Sequence, residues 1–275
     1  MIYEDIGQSA LDYFPCRYGQ SKLLFRGPRR RLQGEYSVFL GGIETYGKFV
    51  ATPFPVQVEH ETGLKSVNLG CVNAGVDAYL TDKSLVDICS NAKVTVIQMM
   101  GAQNMSNRFY AVHPRRNDRF LRPSNLLQTI FREVDFADVN FTRHLLVKLA
   151  EQAPGKFAMV EQELKDAWVG RMLTLIRQID GPVVLLWLAD HAPGENPGLS
   201  EGNAEPLFVE QDMIEKLRPS VNDVVEIVAS ADEIAQGMDE LVYAPMEQAA
   251  AEELLGPVVH RRAAAELARA MRALV

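Results

Sequence analysis

The sequence predicts a three-layer α/β/α domain built on a mostly parallel sheet. Three observations lead there. Short apolar runs recur at 37–40, 65–69, 93–100, 182–189 and 224–228, the length and composition of buried strands. Segments with helical spacing of apolar residues separate them. The runs stop at glycines or small polar residues: Gly41, Gly70, Gly101 and Asp190-His191. Strands alternating with helices argue a parallel sheet covered on both faces.

The elements follow in order. Residues 1–35 read as an N-terminal extension rich in aromatic and basic residues, and 36–275 as one domain. Val38, Phe39 and Leu40 form the first strand and run into Gly41-Gly42 and a polar, helix-compatible turn. Pro53 can open a helix that continues through Val56 to His60. The second strand, 65–69, is followed by a helix over 77–90 carrying Leu80, Leu85, Val86 and Ile88. The third, 93–100, is β-branched and the clearest of all. Residues 102–145 form a long Arg-rich insert, with a helix at 125–134; connections of this length are often functional. Leu164, Trp168, Met172, Leu175 and Ile179 mark an amphipathic helix over 158–179. The strand at 182–189 ends in a Gly/Pro-rich loop reaching Pro206. A helix at 211–217, a last strand at 224–228, and one or two Ala-rich helices over 248–274, broken near Gly256-Pro257, complete the chain.

The chain has 275 residues, 47% hydrophobic and 23% charged, with a formal net charge of −8. That size accommodates a large buried core, and the acidity argues against a nucleic-acid partner. The three cysteines, Cys16, Cys71 and Cys89, are widely spaced and form no Cys-x-x-Cys pair, which fits a reducing compartment. The N-terminus has no signal-peptide pattern and no apolar run spans a bilayer, so no membrane partner and a cytoplasmic location are expected. No histidine pair has metal-ligand spacing, and neither a metal nor a cofactor is expected. A homo-oligomer is compatible with the sequence.

In a doubly wound sheet the segments after the strands converge on one edge, where ligands bind. Here those segments are 41–45, 70–77, 101–107 and Asp190-His191, with 256–260 able to join them. Glu44 and Thr45 either act in the site from the first helical turn or cap that helix. Gly42 to Lys48 also matches Gly-x4-Gly-Lys, a phosphate loop, except that Phe49 replaces the magnesium-binding Ser or Thr. Arg108, Arg115, Arg116 and Arg119 can clamp an anion through guanidinium forks, or can pair with surface carboxylates. A small anionic molecule is therefore the expected partner.

Four segments carry a resemblance. Phe39 to Gly47 resembles the first block of the SGNH (GDSL-type) hydrolases; 67–75 resembles the second, 100–104 the third, and Leu255 to His260 the region of the catalytic His. The resemblance implies a flavodoxin-like α/β/α fold and an oxyanion hole formed near Gly42 and Ile43, at Gly75, and by the amide of Gln103 or Asn104. It implies His260 as the catalytic His. The departures are specific. The family's Ser falls on Ile43, its Asp on Gly42, and the acid preceding the His on Pro257. Ile has no nucleophilic atom, so Ser-type acyl transfer at this position is excluded. Thr45, Glu44 and His191 are the remaining candidates for catalysis beside His260. The string Gly-Gly-x-Glu-Thr-Tyr-Gly-Lys is also similar to an uncharacterised bacterial family, which implies no activity. The expectation is thus a divergent hydrolase-like protein that binds an anionic or carbonyl-containing ligand at the sheet edge. The alternatives are a non-catalytic anion-binding protein, or a nucleotide- or sulfonucleotide-dependent transferase using the 42–48 loop.

Overall fold

The fold was analysed in a computed structural model, which describes residues 11–195, 199 and 205–275. The beginning of the N-terminal extension and much of the loop leading to Pro206 lie outside the described residues. Five parallel strands form the sheet: β1 (Tyr36–Gly41), β2 (Lys65–Gly70), β3 (Val94–Gln98), β6 (Val183–Ala189) and β7 (Asp223–Val228). Their order is β2-β1-β3-β6-β7, the flavodoxin-like arrangement, with the switch point between β1 and β3. The register pairs Leu40 with Leu69 on one side and with Ile97 on the other, which brings the strand ends level.

Side chains alternate across the sheet, and both faces are apolar. Val38, Leu40, Leu185 and Trp187 enter one core; Phe39, Leu186 and Leu188 enter the other. The first is covered by α3 (Val76–Leu80), α4 (Lys83–Ser90), α7 (Pro154–Gln178) and α8 (Gln211–Leu217). The second is covered by α2 (Phe54–Thr62) and α11 (Pro257–Arg272). Ala263 and Ala264 of α11 are fully buried, and such small side chains let helix and sheet approach closely. Two covered faces explain why the strands read as continuous apolar runs rather than alternating ones.

The five strands lie where the sequence places them, within one or two residues. Four features differ. The helix expected over 77–90 is two helices, because Asp82 accepts a hydrogen bond from the Ser84 N–H and starts α4 afresh. The Arg-rich insert holds a hairpin, β4 (Tyr110–His113) and β5 (Arg116–Pro123), before α5 (Asn125–Ile130) and α6 (Thr142–Gln152). β4 is only four residues long and buries Tyr110 and Val112, and the polar β5 buries Asn117 and Phe120 among mostly exposed or half-buried neighbours, so no long hydrophobic run announces them. The helix expected over 158–179 starts at Pro154, whose missing N–H suits the first helical position. Finally α9 (Ala231–Met238) precedes the short α10 (Gln248–Ala251). A Ser230–Glu233 capping box opens α9, a signal present in the sequence.

The N-terminal segment is woven into the core. Tyr18, Leu23 and Phe25 are buried with the sheet residues. Arg26, itself buried, donates to the carbonyls of Tyr46, Gly47, Val50 and Ala51 and so holds the loop after α1 (Ile43–Tyr46). Among the described residues no helix is long and apolar enough to cross a membrane.

Candidate active site at the sheet edge

The strand ends and the segment before α11 enclose a cavity of about 310 Å³. Five acidic residues line it: Glu44, Asp190, Glu205, Glu252 and Glu253; among the described residues no basic side chain does. Such a lining favours a neutral or cationic ligand on electrostatic grounds. Among the described residues no three or more His, Cys, Asp or Glu side chains are grouped so that they could hold a metal ion.

Glu44 and His260 form the best-defined pair at this edge. Glu44 lies in the first turn of α1, but it does not cap that helix. Its carboxylate crosses to the start of α11, where Oε1 accepts the N–H of Leu255, just before the helix, at 3.2 Å and Oε2 lies 3.3 Å from His260 Nε2. His260 is fully buried, and its Nδ1 accepts the Phe54 N–H at 3.1 Å. An acceptor at Nδ1 leaves the neutral ring's proton on Nε2, which therefore donates to Glu44. The ring of Phe54, 5.7 Å away, packs against the imidazole. His260 thus stands behind Glu44, and Glu44 is the one of the two that lines the cavity.

The turn at Gly42 is organised by Gln98, the last residue of β3. Its Oε1 accepts from Gly42 N–H at 3.2 Å, Thr45 N–H at 3.1 Å and Thr45 Oγ1 at 2.6 Å. Thr45 is fully buried, so its hydroxyl is held in the interior and not offered to the cavity. This also replaces the expected local cap with a tertiary one. Gly41 has no room for a side chain: a Cβ there would lie 2.1 Å from Thr45 Oγ1. Further along the loop, the N–H groups of Tyr46, Gly47 and Lys48 fold back onto the carbonyls of Gly42 and Ile43. Lys48 meets Glu247 at 3.5 Å and covers the Phe49 ring at 4.4 Å. The N–H groups of Gly42, Thr45, Tyr46, Gly47 and Lys48 are thus spent inside the protein, whereas a phosphate-binding loop offers such groups outward.

The other oxyanion candidates separate. Asn104 lines the cavity, and its Oδ1 accepts the Thr142 hydroxyl at 2.7 Å. That bond orients the amide so that Nδ2 is its remaining donor. Gly75 N–H is taken by the buried Asn117 Oδ1 at 2.9 Å, which also accepts Ala78 N–H and caps α3. Gly75 is needed for space, because a Cβ would fall 1.7 Å from the Asn104 carbonyl oxygen. Gln103 is buried, donates to Glu205 and does not line the cavity, and its Oε1 has no hydrogen-bond partner. Glu205 as a residue is exposed, but its carboxyl tip turns inward against Gly101 and Gln103. Desolvation there raises its pKa above the ordinary 4.5, against the pull of Arg143 and of nearby N–H donors.

His191 sits one residue beyond the cavity. Its Nδ1 lies 2.7 Å from Asp190 Oδ1, which holds the Asp190 pKa below its ordinary value, and its ring stands edge-on to Trp187. The four arginines do not line this cavity. Arg108 pairs with Glu163, and Arg119 stacks on Phe141. Arg115 and Arg116 line a second cavity, beside Asn73. Gln98, Glu205 and Asn117 were not singled out by sequence reasoning. Gln98 carried a signal, as a polar residue closing an otherwise apolar strand; Glu205 and Asn117 lie in polar segments with none.

Comparison with solved structures gives distant likenesses. A gut microbial diltiazem-metabolizing enzyme matches 87% of this chain at 12% identity with a TM-score of 0.45, and the chain spans 47% of that enzyme's length. A carbohydrate esterase family 2 enzyme with a carbohydrate-binding domain, from Corynascus thermopiles (Myceliophthora fergusii), matches 90% of this chain and 69% of its own at 10% identity and a TM-score of 0.42. An alpha/beta hydrolase enzyme from the metagenome of Lake Arreo, Spain, matches 88% and 97% at 12% identity and 0.43. No protein of curated function matches the sequence. The profile of a domain of unknown function, DUF6473, matches residues 1–275, and the chain belongs to that family.

Proposed function

We propose that the edge cavity is the active site of a divergent SGNH-like hydrolase that uses a carboxylate, Glu44, where the family uses Ser. The observation that carries this reading is the Glu44–His260 pair at the end of β1, with Glu44 lining the cavity and His260 orienting it from behind. Glu44 acts as general base. It takes a proton from a water whose oxygen bonds to a substrate carbonyl carbon, and the leaving group later receives that proton. In this reading Asn104 Nδ2 donates to the developing oxyanion, a role supported by the Thr142 hydroxyl bond that occupies its Oδ1. The acidic lining favours a substrate of neutral or positive charge over an anionic one.

Neutral p-nitrophenyl esters and p-nitroanilides test the proposal. Hydrolysis by the wild type is expected to fall about a hundredfold or more in Glu44→Gln, by the usual worth of a general base, and to survive in Thr45→Val. An unchanged rate in Glu44→Gln overturns it. A second reading, a non-catalytic binding protein, is favoured by the commitment of the Gly42 N–H and the Thr45 hydroxyl to Gln98. Stabilisation by neutral ligands with no turnover of any ester or anilide supports that reading instead.

A further inference from the structure

A second cavity, of about 650 Å³, opens on the other side of Asn73 from the acidic one. Asn73 lines both and adopts the left-handed backbone, with φ 62°, which Asn tolerates better than most residues. Five residues able to carry positive charge line the second cavity: Arg17 and Lys22 from the N-terminal segment, and His113, Arg115 and Arg116 from the tip of the β4–β5 hairpin. Among the described residues no carboxylate lines it.

Among the described residues several cations elsewhere on the surface also lack a carboxylate partner, but those named here are gathered around one cavity, whereas other arginines are neutralised locally. Arg261, Arg262, Arg218 and Arg269 each meet a glutamate within 3.0 Å. Arg17, Lys22 and Arg115 have no carboxylate partner among the described residues, and Arg116 has only a long contact of 3.5 Å with Asp118. Cations gathered at one cavity without carboxylate partners repel one another, an electrostatic cost that a bound anion removes. The hairpin tip is also ordered for the task. His113 Nδ1 accepts the N–H groups of Arg115 and Arg116, each at 3.2 Å, which leaves the imidazole proton on Nε2 as a donor. Tyr46 and Cys71 supply a less polar wall.

We infer that this cavity is a separate binding site for a small molecule carrying a phosphate or sulfate group, gripped by Arg17, Lys22, Arg115 and Arg116. Two or more guanidinium groups converging on one oxyanion give the paired, charge-assisted hydrogen bonds such a group accepts. The inference does not depend on hydrolysis in the acidic cavity.

Calorimetry and thermal unfolding of the full chain test it, with inorganic phosphate, inorganic sulfate and phenyl phosphate as probes at ionic strength held constant with sodium chloride. Saturable binding and a raised Tm are expected, with phenyl phosphate bound at least as tightly as the inorganic ions. Arg115→Ala and Arg17→Ala are each expected to weaken binding about tenfold or more, the worth of one charge-assisted hydrogen bond. Glu44→Gln and Arg261→Ala are expected to bind as the wild type does. No binding beyond the chloride control overturns the inference, as does affinity unchanged in Arg115→Ala and Arg17→Ala. Binding of the inorganic ions without phenyl phosphate overturns the assignment to an organic ligand. Loss of binding in Glu44→Gln overturns the separateness of the two sites.

Discussion

Glu44 in the first turn of α1 and His260 in the first turn of α11 meet at 3.3 Å across 216 residues of sequence. The contact closes the sheet edge, because the same imidazole accepts the first helical N–H of α2 through Nδ1. One ring therefore ties three helices together. His260→Ala leaves the Phe54 N–H and the Glu44 carboxylate short of a partner and opens a void beside Phe54. It is expected to lower stability by about 3 kcal/mol. Glu44→Gln keeps the shape and is expected to cost about 1 kcal/mol. Urea unfolding measures both, and equal losses in the two variants would contradict the arrangement.

Gln98 should be among the more sensitive polar positions. Its Oε1 serves two backbone N–H groups and the buried Thr45 hydroxyl. Gln98→Leu strands these donors and is expected to cost about 3 kcal/mol, whereas Thr45→Val removes one donor and costs about 1 kcal/mol. The two losses should not add, since the second substitution removes a donor that the first has already orphaned. Additive losses in a double-mutant cycle would count against a shared bond.

Two glycines should respond in opposite directions. A Cβ on Gly75 would lie 1.7 Å from the Asn104 carbonyl oxygen, so Gly75→Ala must displace backbone beside the cavity. A loss of about 3 kcal/mol or more, or failure to fold, is expected. Gly170, exposed in the middle of α7, has nothing within 4 Å. Gly170→Ala is expected to raise stability by about 1 kcal/mol through helix propensity. Thermal melts of the two variants give the answer directly.

Glu205 sets a pH dependence. Its pKa in the folded chain is raised above 4.5 by desolvation, so between 4.5 and that raised value the folded state binds more protons than the unfolded one. Stability contributed by this group therefore falls as pH rises through that window. Glu205→Gln titrates nowhere. Whatever constant offset the substitution brings, the variant should gain on the wild type between pH 4 and pH 8. Urea midpoints at the two pH values that move in parallel would show that the carboxyl is not held in this way.

Much of the fold was legible because burial on both faces leaves a plain record. Strands β1, β3 and β6 are buried along their length and largely apolar, and α7 carries its core residues at helical spacing. The β4–β5 hairpin was not legible, since β4 is only four residues long and β5 is polar, burying just Asn117 and Phe120. The glycine-rich strand ends pointed to an edge that holds a cavity, and Glu44 and Asn104, named among the candidates, line it. Gly75, Thr45 and Gln103 were named with them, but their polar groups hydrogen-bond to Asn117, Gln98 and Glu205.

By itself, then, the chain's order of apolar runs, helical stripes and terminal glycines determined a parallel α/β/α sheet, the edge at which its strand ends meet, and the lack of a hydroxyl at Ile43. Periodicity and turn chemistry are local, and they survive in a linear sequence. Only the tertiary structure decided which polar groups face the cavity and which are consumed inside. A hydrogen bond such as Gln98 to Thr45, or Glu44 to His260, joins residues that are far apart in the chain. Its existence depends on where packing sets two backbones, which no local pattern records.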